Sequence, residues 1–453
     1  MTAEARSGSH NGQHTRISTN PLEERRITTV DLNPFLFGRT SGALRDRHSA
    51  WFLLIGAGFT ALVLLAAASS GMVGSFDEFQ FANDFRRILR LPAAESDTTF
   101  PLVRDIPTWI LTANVVAGTV LLHRHWQYMS KCLSGLARSG AIIAKPGPVP
   151  PDDNDEQPLP REAFRGNFNI ISRLLRIDTI VRDRDNKTAF GHFVGRVVGA
   201  VSNRWLTYLV PLSVLSIVLA GLLVLGMRNS LFQTLAPSEL AGADRAEWLQ
   251  AAYRGWWASI DHPLAFTIYL ALASYAIFIV LLFHLVGLIA VYVTIGMHFL
   301  VDPGADWLNE DNRHGWAPLA RFYRTVMWAN ALLGTSLSTI LISLGITNAS
   351  WVAFLVVLYV LLMPVFTFVP WVLFRRAGEK AAALRIRQIR AIAEAQGIDP
   401  DTHIPAMAPY LSEIDRCRAA TIRPLRMGTV SLFTHFTLVA LPIVLAAAQI
   451  WLQ

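Results

Sequence analysis

Charge is scarce in this chain and cysteine is scarcer: 16% of its 453 residues are Asp, Glu, Lys or Arg, and two are cysteine. Soluble domains carry roughly a quarter charged residues, so the deficit excludes an ordinary globular surface. Cys132 and Cys417 fall in segments read below as cytoplasmic loops, where thiols stay reduced, and a structural disulfide is not expected. Neither CxxC nor Cys/His zinc spacing is present. Nucleophile elbow, P-loop and EF-hand patterns are also missing, so the sequence points to no enzyme activity, no cofactor and no metal.

What is abundant is uncharged apolar sequence. Hydrophobic residues make up 52% of the chain, gathered into long runs rather than spread at helical or strand period. Seven such runs lie near 51–71, 106–123, 205–226, 264–300, 327–346, 351–374 and 429–452. The expected fold is all-α: a polytopic membrane protein with about seven transmembrane helices. Every Asp, Glu, Lys and Arg falls between the runs. With the amino terminus inside, 33 of the 40 Lys and Arg fall on cytoplasmic segments and 7 outside, a positive-inside pattern that puts the carboxyl terminus outside. The net charge of +7 therefore reads as orientation rather than nucleic-acid binding. A bacterial inner membrane is the expected location.

The fourth run, 37 residues from Leu264 to Leu300, would make one helix of about 55 Å, nearly twice the hydrocarbon thickness. A hairpin would leave almost nothing for a turn and would invert the loops that follow, so one helix projecting into the cytoplasm is expected. Tryptophans 51, 109, 205, 256, 257, 328, 351, 371 and 451 flank the runs as interfacial anchors.

Between the runs, residues 1–48 read as a polar cytoplasmic tail, 49–130 as a two-span unit, and 205–453 as a five-span unit. The intervening 131–204 holds a proline-rich linker, Lys145 to Pro160, and a basic amphipathic helix over 164–181. The alanine-rich segment Gly378 to Gly397 continues helically from the sixth run, within a cytoplasmic helical base over 376–426. These basic helices offer a surface to anionic lipid as well as to cytoplasmic partners.

The absence of intramembrane carboxylates argues against ion-coupled pumping and voltage sensing. His284 and His435 are the most ionisable groups left inside, placed where they can face each other and respond to pH. Asn330, Thr335, Ser336, Ser338, Thr339 and Ser343 make the fifth run polar, with Gly334 and Ser338 as a small-xxx-small pair. Such residues serve either interhelical packing or a pore lining, and Asn114 in the second run can join them. Pro211, Pro364, Pro370 and Pro442 interrupt the third, sixth and seventh runs as candidate hinges. Asp302, Asp306, Glu310 and Asp311 follow the fourth run without a metal-loop spacing, and Asp302-Pro303 reads as a helix start. The candidate polar path is thus Asn114, His284, Asn330, Thr335, Ser338 and His435. In orientation and helical base the arrangement resembles the insect chemoreceptor type of ligand-gated channel, a likeness of topology that carries no function. A channel or sensor-like homo-oligomer is the leading expectation. A non-conducting scaffold or membrane-complex subunit and an uncoupled small-solute carrier are the alternatives.

Overall fold

The computed structural model describes residues 27, 31–32, 38–75, 97–145, 186–202, 205–226, 231–306, 313–344, 350–398, 404–419 and 429–451. The amphipathic segment 164–181, nearly all of the proline-rich linker, and Glu310 and Asp311 lie outside them. So do the side chains of Pro364, Pro370 and His435.

The described chain is helical throughout, apart from short turns and one two-stranded ladder of three residue pairs. In order the helices are α1 (Gly38–Asp46), α2 (Ser49–Ser69), α3 (Ile106–Ser130), α4 (Cys132–Arg138), α5 (Asn186–Ser202), α6 (Trp205–Gly226), α7 (Gly242–Arg254), α8 (Pro263–Leu300), α9 (Ala317–Leu344), α10 (Ser350–Ala395), α11 (Ile404–Ala419) and α12 (Thr429–Trp451). A backbone with no water to bond must satisfy its own N–H and C=O groups, and the α-helix does so within one segment. Among the described residues four stretches are long and apolar enough to cross a bilayer: Ser49–Ser69, Ile106–Arg138, Tyr208–Gly226 and Pro263–Leu300. The chain is therefore an integral membrane protein by the length and composition of its helices. The fifth, sixth and seventh apolar runs of the sequence fall on α9, α10 and α12. Outward-facing Leu54, Leu65, Val214, Val218, Phe354, Leu361, Phe433 and Phe436 stand 54–71% exposed, an apolar surface suited to lipid.

The fourth run forms one helix, not a hairpin: the 38 residues of α8 extend about 57 Å. Helix α10 is longer still, 46 residues or about 69 Å, and its last turns pack on α11 through Ile389, Ile414 and Cys417. Both cysteines thus sit buried in helices rather than in loops.

Side-chain contacts set the relative directions. Ser49 Oγ meets His123 Nδ1 at 3.3 Å, while Leu102 N, just before α3, donates to Met72 O just after α2, so α2 and α3 run antiparallel. Helix α3 is parallel to α8, through Thr119 with Tyr275 and His125 with Phe283. It is antiparallel to α9, through Asn114 with Ser336 and His125 with Thr325. Helices α8 and α10 run parallel, with His284 against Phe366 and, beyond α8, Asp302 against Lys380.

Two knots close the bundle. At one end β1 (Ile142–Ala144) pairs antiparallel with β2 (Val301–Pro303), so Asp302 lies in a strand and bonds Lys380, rather than starting a helix. Gly304 follows, and a Cβ there would lie 2.1 Å from Gly140 O, so only glycine lets the two chains approach. Helix α5, which falls in a stretch the sequence reads as linker, seats Phe190 and Phe193 in the core at this ladder end, Phe193 against Gly296 of α8. At the other end Phe100 N donates to Gly255 O and Trp257 N to Phe100 O. Trp256 and Trp257, expected at the lipid interface, are instead 2% and 0% exposed.

Candidate functional site

The sequence leads first to the polar face of α9. Asn114 of α3 donates from Nδ2 to Ser336 Oγ at 3.0 Å, and its Oδ1 accepts from Thr335 Oγ1 at 3.3 Å. Thr335 shares its one proton between Asn114 Oδ1 and Leu332 O, while Ser336, Ser338 and Thr339 return theirs to backbone carbonyls four residues earlier in α9. One turn of the same helix meets α12 at Gly334, where a Cβ would lie 2.3 Å from Leu438 O. Tyr359 of α10 donates to the neighbouring Val439 O at 2.9 Å. The small residues thus admit a close crossing while the hydroxyls bind helix to helix, the use such residues have where apolar burial supplies no drive to associate.

Polarity with space beside it lies elsewhere on α9. Asn330, 7% exposed, lines a cavity of about 30 Å³ together with His284 of α8 and His125 of α3, among apolar neighbours that include Phe283, Val326 and Phe366. A cavity of that size has room for one water. Of these three, Asn330 and His284 are visible in the sequence as intramembrane polar residues. His125 is not, because it follows the second apolar run in the polar sequence HRHW. Helix α3 carries it about 30 Å beyond Asp105, toward the ladder end.

Hydrogen bonds define the tautomers. Thr325 has one proton, and its Oγ1 gives it to Phe322 O at 2.6 Å. The 2.9 Å contact between His125 Nδ1 and Thr325 Oγ1 therefore has Nδ1–H as donor. That leaves Nε2 as a bare acceptor, buried and without a partner. His284 Nδ1 stands 2.7 Å from Val280 O, an acceptor only, so it too is protonated at Nδ1 and carries its lone pair on Nε2. Two neutral imidazoles and one amide thus line a single small cavity, a set able to hold a donor such as water or to take up a proton.

The remaining candidates are not brought together there. Thr335 and Ser338 belong to the packing faces of α9. Pro211 lies exposed inside α6 and Pro442 buried inside α12, while α10 continues through positions 364 and 370.

A buried carboxylate is the functional group that sequence reading passes over. Asp105, one residue outside the second apolar run, is 4% exposed. It caps α3 by accepting from Thr108 N at 3.2 Å and Thr108 Oγ1 at 2.7 Å. Its Oδ2 also accepts from both Trp256 Nε1 and Trp257 Nε1 at 2.8 Å. The signal available in sequence is Asp followed three residues later by Thr at the start of a helix, together with a Trp pair at the start of another. Among the described residues no group of three or more His, Cys, Asp or Glu is placed to hold a metal ion. No protein-family profile, curated protein or solved structure matches this chain.

Proposed function

We propose that the protein is a channel or sensor-like membrane oligomer, without enzymatic activity, whose responsive element is the His125, His284 and Asn330 centre. The observation that carries this reading is the convergence of three polar side chains, from three helices, on one cavity inside an apolar bundle. Polar groups at membrane depth are costly to keep, and they mark pathways and switches more than they mark stability. The relative directions of α2, α3, α8, α9 and α10 support an alternating arrangement of spans, and the proposal sets seven of them in a bacterial inner membrane with the amino terminus inside. The centre then lies in the cytoplasmic half of the bilayer. A proton taken up by either imidazole puts charge into the apolar bundle, and two such charges repel between α3 and α8, which favours a wider spacing of these helices.

The test is flux of K⁺, Na⁺, Cl⁻ and H⁺ in proteoliposomes over about pH 5 to 8. The expected result is a flux that changes with pH and loses that dependence in His125→Phe and His284→Phe. Size-exclusion profiles and thermal midpoints report whether each variant is folded. No flux of any of these ions at any pH would sink the channel reading. The non-conducting subunit reading would then stand, favoured by the closure of Asn114, Thr335 and Ser336 into interhelical bonds and of Ser338 onto its own helix backbone.

A further inference from the structure

The ladder end of the bundle carries a second cavity, of about 100 Å³, between the end of α8, the ladder and α10. Its floor is apolar and aromatic: Met297, Val301, Trp316 and Phe374 line it, the last two 2% and 3% exposed. Its rim is basic, formed by His298, Arg376 and Lys380. All three rim side chains belong to exposed residues, so the cavity opens outward. Lys145 stands behind the rim with its Nζ donating to Phe299 O, and Lys145, Arg376 and Lys380 all act electrostatically on His298.

Among the described residues, acid is short in this corner. Asp302 is the carboxylate that faces it, and it is engaged by Lys380 at 2.9 Å. Glu379, on the same helix, pairs instead with Arg375 at 3.0 Å. Arg376 makes no hydrogen bond or ion pair with a described residue, and its planar guanidinium matches two oxygens of a phosphate at once. Burial holds the Lys145 ammonium below the ordinary lysine range, and Lys380 pushes the same way while Asp302 opposes. Cations crowded to that degree are relieved by a bound anion.

Place along the helices adds a constraint. Helix α8 is nearly twice as long as the hydrocarbon is thick and ends at Leu300, so the basic rim stands on its projection beyond the hydrocarbon, open to solvent. We propose that this cavity is a binding site for a phosphate group, carried by an anionic phospholipid headgroup or by a soluble phosphate.

Full-length protein in mild detergent is titrated with dioctanoyl phosphatidylglycerol, dioctanoyl phosphatidylcholine or inorganic phosphate, and binding is read by native mass spectrometry and by the thermal midpoint. Saturable binding of phosphatidylglycerol, about fivefold to tenfold weaker in Arg376→Gln and unchanged in Arg375→Gln, is the expected result. The Arg375 variant carries the same charge change one residue away and separates a built site from general attraction. Inorganic phosphate that raises the midpoint through Arg376 as well as the lipid does identifies a soluble phosphate as the ligand of the same site. Equal binding of phosphatidylglycerol and phosphatidylcholine, or equal losses in the Arg375 and Arg376 variants, overturns the proposal.

Discussion

Replacing Asp105 with alanine removes an acceptor that four donors share: Thr108 N, Thr108 Oγ1, Trp256 Nε1 and Trp257 Nε1. The indoles are fully enclosed, so neither N–H can turn to water. Each buried donor left without a partner costs about 1–3 kcal/mol, and a lost N-cap about 0.5–2 kcal/mol more. The sum of about 3–8 kcal/mol is comparable with the net stability of a whole domain, about 5–15 kcal/mol. Asp105→Ala should therefore lower the unfolding midpoint in mild detergent more than most single substitutions do. Asp105→Asn, which keeps one carbonyl oxygen, should retain a large part of the loss. Tryptophan emission gives a second reading, because both indoles lose the carboxylate beside their N–H groups. A loss below about 1 kcal/mol in the alanine variant would refute the reasoning, since it would mean that the four bonds are replaced at little cost.

Gly334→Leu should separate α9 from α12, because even a Cβ meets Leu438 O at 2.3 Å; cysteine cross-linking between the two helices would fall, and an unchanged yield would count against the close crossing. Asn114→Ala should cost about 0.6–2 kcal/mol, the range for interhelical hydrogen bonds in membranes, without changing the oligomer seen on size exclusion. Gly304→Ala should disrupt the ladder, since its Cβ would overlap Gly140 O at 2.1 Å, and faster proteolysis between residues 140 and 145 is the expected readout.

The polar stripe on α9 shows how far one-dimensional reading goes. Asn330 and Ser338 lie eight residues apart on one helix, and both are intramembrane polar residues in any hydropathy plot. In three dimensions Asn330 borders a cavity with two histidines, while Ser338 bonds its own backbone beside the crossing with α12. Nothing in the spacing distinguishes them, because the difference lies in which neighbouring helix each one meets. The tryptophans divide in the same way. Trp51 and Trp451 are 55% and 85% exposed, as interfacial anchors are, whereas Trp256 and Trp257 turn inward to a carboxylate about 150 residues earlier in the chain.

By itself the sequence determined that the chain resides in a membrane, that its charges lie between apolar runs, and that residues 264–300 form one long helix. These are properties of composition and local order: apolar length is compared with bilayer thickness, and a helix closes its hydrogen bonds within its own segment. Tertiary structure alone decided that Asp105 gathers two indoles, that His125 joins His284 and Asn330, and that His298, Arg376 and Lys380 share one rim. Each of those groupings draws on segments about 50 to 200 residues apart, or on the ladder that joins residues 142–144 to 301–303. Such contacts depend on helix rotation and crossing, which residue-by-residue packing sets and which no run of sequence encodes locally.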